Sequence, residues 1–180
     1  PGLWLVPEFR KSVPRQPTAE RQYHWAQLEA PQDQLLAAWV AVSGYFPVDR
    51  FWATQSYVQL GRQLFREKDK RSLAALADDL ERWRDPSGKE PLTVDIELAR
   101  LLRVGVKLLE REDLEGVVDG LDQMKFESVY DLSVLSLGYE IATEARLLAE
   151  RSNSRAAGGK LLGIQATIMP RLLILEALKG

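Results

Sequence analysis

The stretches LFREKDKRSLAALADDLERW (64–83) and LLEREDLEGVVDGLDQM (108–124) read as one unit written twice. Each opens on two bulky apolar residues, passes through a charged turn that ends in Asp, and continues as a second apolar-striped run. With 64–69 laid on 108–113 and 73–83 on 114–124, five pairs are identical: Leu64/Leu108, Asp69/Asp113, Leu73/Leu114, Asp78/Asp119 and Leu80/Leu121. Apolar class also holds at Phe65/Leu109, Leu76/Val117, Ala77/Val118 and Trp83/Met124. The first copy carries Lys70-Arg71-Ser72 as an insertion in its turn. Apolar stripes at helical spacing on both sides of a polar break predict two helices folded back as an antiparallel hairpin.

Upstream the frame extends to a glycine. Tyr57-x2-Leu60-Gly61-x2-Leu64, Leu101-x2-Val104-Gly105-x2-Leu108 and Val134-x2-Leu137-Gly138-x2-Ile141 share one spacing. A glycine inside a helix costs ~1 kcal/mol against alanine. Close approach of a neighbouring helix is the simplest compensation; the competing reading is chance alignment of leucine-rich amphipathic helices.

This frame resembles the tetratricopeptide repeat (TPR), whose first helix carries an aromatic, then Leu-Gly, then an aromatic at these intervals. In that family a small residue of the second helix packs on the glycine. The matching positions here, Leu76 and Val117, are larger than the family's alanine. Asp85-Pro86 resembles the repeat-ending proline, slightly displaced, and the third unit runs through TEARLLAE (143–150) without a turn. The resemblance covers about residues 54–150. It implies an all-α fold of about eight helices, with antiparallel hairpins stacked as a short TPR-like right-handed array. One hairpin cannot bury its apolar face alone, so helices at 18–44 and 160–178 would cap the ends.

The remaining chain is punctuated by proline, glycine and capping residues. Residues 1–17, PGLWLVPEFRKSVPRQP, hold four prolines and predict an extended arm, leaving 18–180 as a single all-α domain. One reading lays Trp4 and Phe9 of that arm onto the domain. Another makes it a linker emerging from a bilayer with Trp4 at the interface, because the chain opens on PGLWLV without Met and reads as part of a longer polypeptide. Thr18, Asp49, Asp69 or Ser72, and Asp113 are helix caps, and Ser128 with Asp131 resembles a capping box. Pro31 suits a first turn, Gly44 with Pro47 ends a helix, and Thr93 with Asp95 and Glu97 begins one. RDPSGKEP (84–91) and SNSRAAGG (152–159) are expected loops.

Composition narrows the function. Lys+Arg 24 against Asp+Glu 26 leaves a net charge of −2, which offers no general attraction to nucleic acid. The run Arg66–Arg71 alternates in sign and would interrupt phosphate tracking. Tyr45, Phe46, Phe51 and Trp52 follow core spacing and not that of a base-stacking platform. Without cysteine there is no disulfide, thiol nucleophile or thiolate metal site. The apolar stretch 160–180 has Pro170 and Arg171 near its middle and predicts a broadly buried terminal helix, not a membrane span.

Chemistry-bearing patterns are sparse. His24 is the sole histidine, between Tyr23 and Trp25, and reads as a packed or rim residue. Neither G-x-x-x-x-G-K-[ST] nor G-x-G-x-x-G occurs. Asp78-Asp79 could pair on Mg²⁺, but its repeat partner Asp119-Gly120-Leu121-Asp122 keeps only part of the motif, and a solvated face is the simpler reading. Glu110, Glu112, Asp113 and Glu115 read as a solvated turn with a cap. No catalytic residue, metal site or cofactor is expected. The family resemblance places a peptide groove along Gln55, Arg62 and Arg66, then Val106 and Glu110, then Tyr139 and Thr143, its arginines suited to a carboxylate. The expected function is a non-enzymatic interaction or scaffolding module for a protein or peptide segment, with any membrane tie through an anchor before residue 1. The alternative is self-association through 160–178.

Overall fold

The computed structural model describes residues 2–82, 93–111, 113–126 and 131–178. Among these the chain is all-helical, with nine α-helices and no strand, one helix more than expected because a short turn forms near the N-terminus. Contacts divide the chain into two compact units, Pro1–Pro91 and Leu92–Gly180. The first copy of the repeated hairpin lies in one unit and the second copy in the other.

The first unit contains α1 (Phe9–Ser12), α2 (Ala19–Leu28), a 3-10 turn (Gln32–Gln34), α3 (Leu35–Tyr45), α4 (Arg50–Arg66) and α5 (Lys70–Arg82). The centre is α3, whose residues from Ala37 to Ser43 are all buried. A helix apolar on every side must be covered on every side, and α1, α2 and α4 pack around it while α5 folds back on α4. Thr18 caps α2 through the Arg21 amide and Asp49 caps α4 through the Trp52 amide. Gly44 is not the stop that its position predicted. It lies within α3, where an added Cβ would run into the Phe9 ring and Leu3, so its small size admits the N-terminal segment.

That segment is not an extended arm throughout. Pro7 and Pro14 flank residues 9–12 without interrupting them, and these form one helical turn that buries Phe9, with Val13 buried just beyond. The Tyr45 hydroxyl donates to the Val13 carbonyl at 2.8 Å. Gln22, buried on α2, accepts from the Gln16 amide at 2.8 Å and donates to the Pro14 carbonyl at 3.3 Å. A buried side-chain amide needs such partners on both its ends.

The second unit contains α6 (Thr93–Glu110), α7 (Leu114–Asp122), α8 (Leu132–Arg151) and α9 (Arg155–Ala177). Here α8 packs on the α6–α7 hairpin, and α9 lies along α8 and touches α7. Asp131 caps α8 by accepting from the Ser133 and Val134 amides. The expected loop at 152–159 shrinks, since α9 begins at Arg155 and takes Gly158 and Gly159 into its first turns. Burial of Ala157 and Leu161 offsets their low helix propensity. The expected loop at 84–91, Asp85-Pro86, Trp83, Glu112 and Ser128 lie outside the described residues.

Both repeated turns use the same local chemistry. After α4, Lys68 takes a left-handed backbone (φ 59°), and after α6, Arg111 does so (φ 60°). Asp69 then accepts from the Ser72 amide at 3.0 Å, and Asp113 from the Gly116 amide at 2.7 Å. The α4 exit is a Schellman ending: Asp69 N–H reaches the Leu64 carbonyl and Lys68 N–H the Phe65 carbonyl. Thus Asp69, and not Ser72, is the cap, and the inserted residues become the first turn of α5.

At Gly138 the packing differs from the expected pattern. Gly61, Gly105 and Gly138 are all buried. A Cβ on Gly138 would lie 2.6 Å from the Phe126 ring, so its close neighbour is an aromatic side chain. Between α6 and α7 a tight contact belongs to Gly120, where a Cβ would come 2.7 Å from a Val104 methyl. The second helix therefore supplies a glycine there and the first helix the branched side chain, the reverse of the family's order.

Gly138→Ala is expected to destabilise the protein by ~1–2 kcal/mol, overpacking against Phe126 outweighing the gain in helix propensity. Gly159→Ala, with nothing within 4 Å of the added methyl, is expected to stabilise by up to ~1 kcal/mol. Urea denaturation of both variants reads these opposite signs. The Asp69 carboxyl is held below the ordinary aspartate range, mainly by the Ser72 side-chain and backbone hydrogen bonds. A depressed pKa gives stability that is present above the unfolded value and is lost as pH falls through the folded one. Asp69→Asn is therefore expected to flatten the acid limb of the stability curve below pH ~4.

Candidate interaction surface

The seven residues expected to line a groove fall three in the first unit and four in the second. On α4, Gln55 is buried, Arg62 is half-buried with Nη1 3.5 Å from the Gln59 Oε1, and Arg66 is exposed in the last turn. On α6, Val106 is half-buried and Glu110 exposed, while Tyr139 and Thr143 of α8 are half-buried. The Thr143 hydroxyl donates to the Tyr139 carbonyl at 2.8 Å and accepts from the Gln165 side-chain amide of α9 at 2.7 Å. Gln55 thus faces the interior of its unit and Thr143 is engaged by a neighbouring helix. Arg66 and Glu110 are the two fully outward positions.

The acidic candidates have structural partners. Asp79 accepts from the Gly2 amide and from the Trp4 indole N–H, holding the N-terminal segment against α5, and is not the bare solvated position expected of it. Gly2 has φ +79°, and a Cβ there would lie 2.7 Å from Leu60, so glycine is required at this approach. Asp78 pairs with Arg82 one turn on, at 3.5 Å. Among the described residues no group of three or more His, Asp or Glu side chains is arranged to hold a metal ion. The Glu97 carboxyl is pushed up by burial, with Asp131 adding to the effect and Arg100 opposing it. His24 is exposed at a rim, its ring 5.5 Å from Trp52 and 5.8 Å from Tyr23.

The prominent outward feature is α9. Residues 160–178 were expected to be broadly buried, and only one face is. Leu161, Ile164, Gln165, Ile168 and Leu172 turn inward. On the other side Leu162, Leu173 and Ile174 are about 60 % exposed, Leu178 is 77 % exposed and Met169 37 %. These outer residues recur at helical spacing, with Gly163, Ala166 and Pro170 exposed among them. Pro170 sits inside the helix and has no N–H, so the Ala166 carbonyl lacks its usual partner. Among the described residues no helix is long and apolar enough to cross a membrane.

Beside this face, between α7 and α9, lies a cavity of about 360 Å³. Leu121, Phe126 and Ile164 give it apolar walls, Gly163 and Thr167 form its α9 edge, and Lys160 and Lys125 also line it. Lys160 stands 3.8 Å from Asp119. The sequence signal for the outer face was present: two interleaved apolar stripes in one helix. Only the position of α8 tells which stripe is inside.

Comparison with family models, with curated proteins and with solved structures finds no match to this chain.

Asp79→Ala is expected to cost ~1–2 kcal/mol, the range for loss of hydrogen bonds to a charged acceptor at a partly exposed site. Lys11→Ala, which removes the exposed Lys11–Glu8 pair, should stay within ~0.5 kcal/mol, as surface ion pairs do. Denaturant unfolding of the two single variants separates a clamp from a solvated ion pair.

Proposed function

We propose that this chain is a non-enzymatic helical module that docks a segment of a second polypeptide chain. The single observation that supports the reading most is the outer face of α9. A helix apolar on two sides normally has both sides covered, and burying one exposed leucine or isoleucine is worth ~1.5–3 kcal/mol. The outer row of α9 therefore carries enough free energy to hold a partner helix once covered. Each hairpin is read as a TPR-like unit, a view supported by the shared left-handed exit and Asp cap at both repeated turns. The docking position in this proposal is the α9 face, in place of a groove that would need Gln55 and Thr143 to be exposed.

The experiment asks whether the outer row serves folding or docking. Leu162→Gln with Leu173→Gln, melted at about 1 µM, is expected to keep its stability within ~0.5 kcal/mol of the parent, as surface changes do. Leu161→Ala, one residue away on the inner face, should lose ~2–5 kcal/mol. A large loss in the double glutamine variant would assign these residues to the fold and overturn the reading.

A further inference from the structure

We propose that the partner covering α9 is a second copy of this chain, with the two α9 helices packed antiparallel about a two-fold axis. The inference rests on the docking reading above and names its occupant. Three features of the face point to an identical copy.

The first is area. Leu162, Met169, Leu173 and Ile174 at roughly 100 Å² each, with the exposed Gly163, Ala166 and Pro170 between them, give on the order of 500 Å² per copy, so about 1,000 Å² in total, where specific but reversible pairing begins. The second is charge. From Leu161 to Leu175 the only charged residue is Arg171, which is half-buried, so a copy laid on this face meets no like charge along the centre of the contact. Surfaces that carry a large net charge repel their own duplicate; along 161–175 this one carries a single charge, and in the cavity beside it Asp122 stands with Lys125 and Lys160.

The third is shape. An isologous contact requires one patch to supply both projections and recesses. The α9 face does so: Leu162, Met169, Leu173 and Ile174 project, while Gly163 opens onto the cavity beside α7. Positions 163 and 174 lie on the same flank of α9, some 20° apart around the helix at about 100° per residue. A two-fold axis perpendicular to antiparallel helices keeps each flank facing its own counterpart. With the axis between residues 168 and 169, Ile174 of each copy arrives at Gly163 of the other and enters its cavity. A parallel pair would instead bring Ile174 toward the flank carrying Glu176. Antiparallel packing also sets each helix N-terminus beside a C-terminus, which the macrodipoles favour.

The 180-residue chain, sedimented from about 1 to 500 µM, is expected to rise from its monomer mass of 20.4 kDa toward twice that value. Leu173→Asp should remain monomeric with unchanged helical circular dichroism. Because the sequence has no cysteine, Gly163→Cys and Ile174→Cys report orientation directly, and the Gly163 site has open space for the new side chain. Mixed and oxidised, the two variants are expected to form a disulfide-linked pair at least tenfold faster than either alone. A chain that stays at the monomer mass throughout overturns the proposal, as does a mixture that links no faster than its components. If the outer-face glutamine variant keeps its stability while the parent stays monomeric, self-pairing alone fails. If that variant loses stability, the docking reading fails and this inference falls with it.

Discussion

Two helices folded back on each other leave half of each apolar stripe in water, and this shortfall governs both units. In the first, α4 and α5 form the hairpin, and α3 and α2 supply cover for α4. In the second, α6 and α7 form the hairpin, and α8 lies over both. Leu60, Leu64, Leu73, Leu76 and Leu80 of the first hairpin are fully buried, as are Leu98, Leu101, Leu102 and Leu121 of the second. On α4, α6 and α7 such burial is completed by added helices, since helix propensity alone leaves short hairpins marginal in water.

The same shortfall explains why small residues matter where they do. Gly44 lets the Phe9 ring onto α3, Gly120 lets Val104 onto α7, and Gly138 accepts the Phe126 ring. Gly158, Gly159 and Gly163 touch nothing at the position where a side chain would begin. At Gly138 the sequence frame therefore meets an aromatic ring and not the backbone of an adjoining helix. The contact depends on what the rest of the unit brings to that point.

The last helix carries the problem one step further. Its inner row completes the cover of α8, and its outer row repeats the composition of a core without a core to sit in. Apolar surface of this kind is costly in water and becomes favourable only on association. The functional reading follows from that imbalance, and not from any catalytic grouping or cofactor motif.

Sequence by itself determined the helical class, the hairpin turns, and the caps at Thr18, Asp49 and Asp113, whereas Asp131, read as the closing residue of a capping box begun by Ser128, is itself the cap of α8. These depend on interactions within a few residues, where capping side chains meet nearby amides and apolar spacing follows the helix period. The tertiary structure decided the rest. It turned Gly44 from a stop into a contact, engaged Asp79 with the Trp4 indole, buried Gln55, tied Thr143 to Gln165, and selected which stripe of α9 faces outward. Each of these joins residues far apart along the chain. An apolar stripe records that a side chain avoids water, and only packed neighbours decide which stripe finds cover.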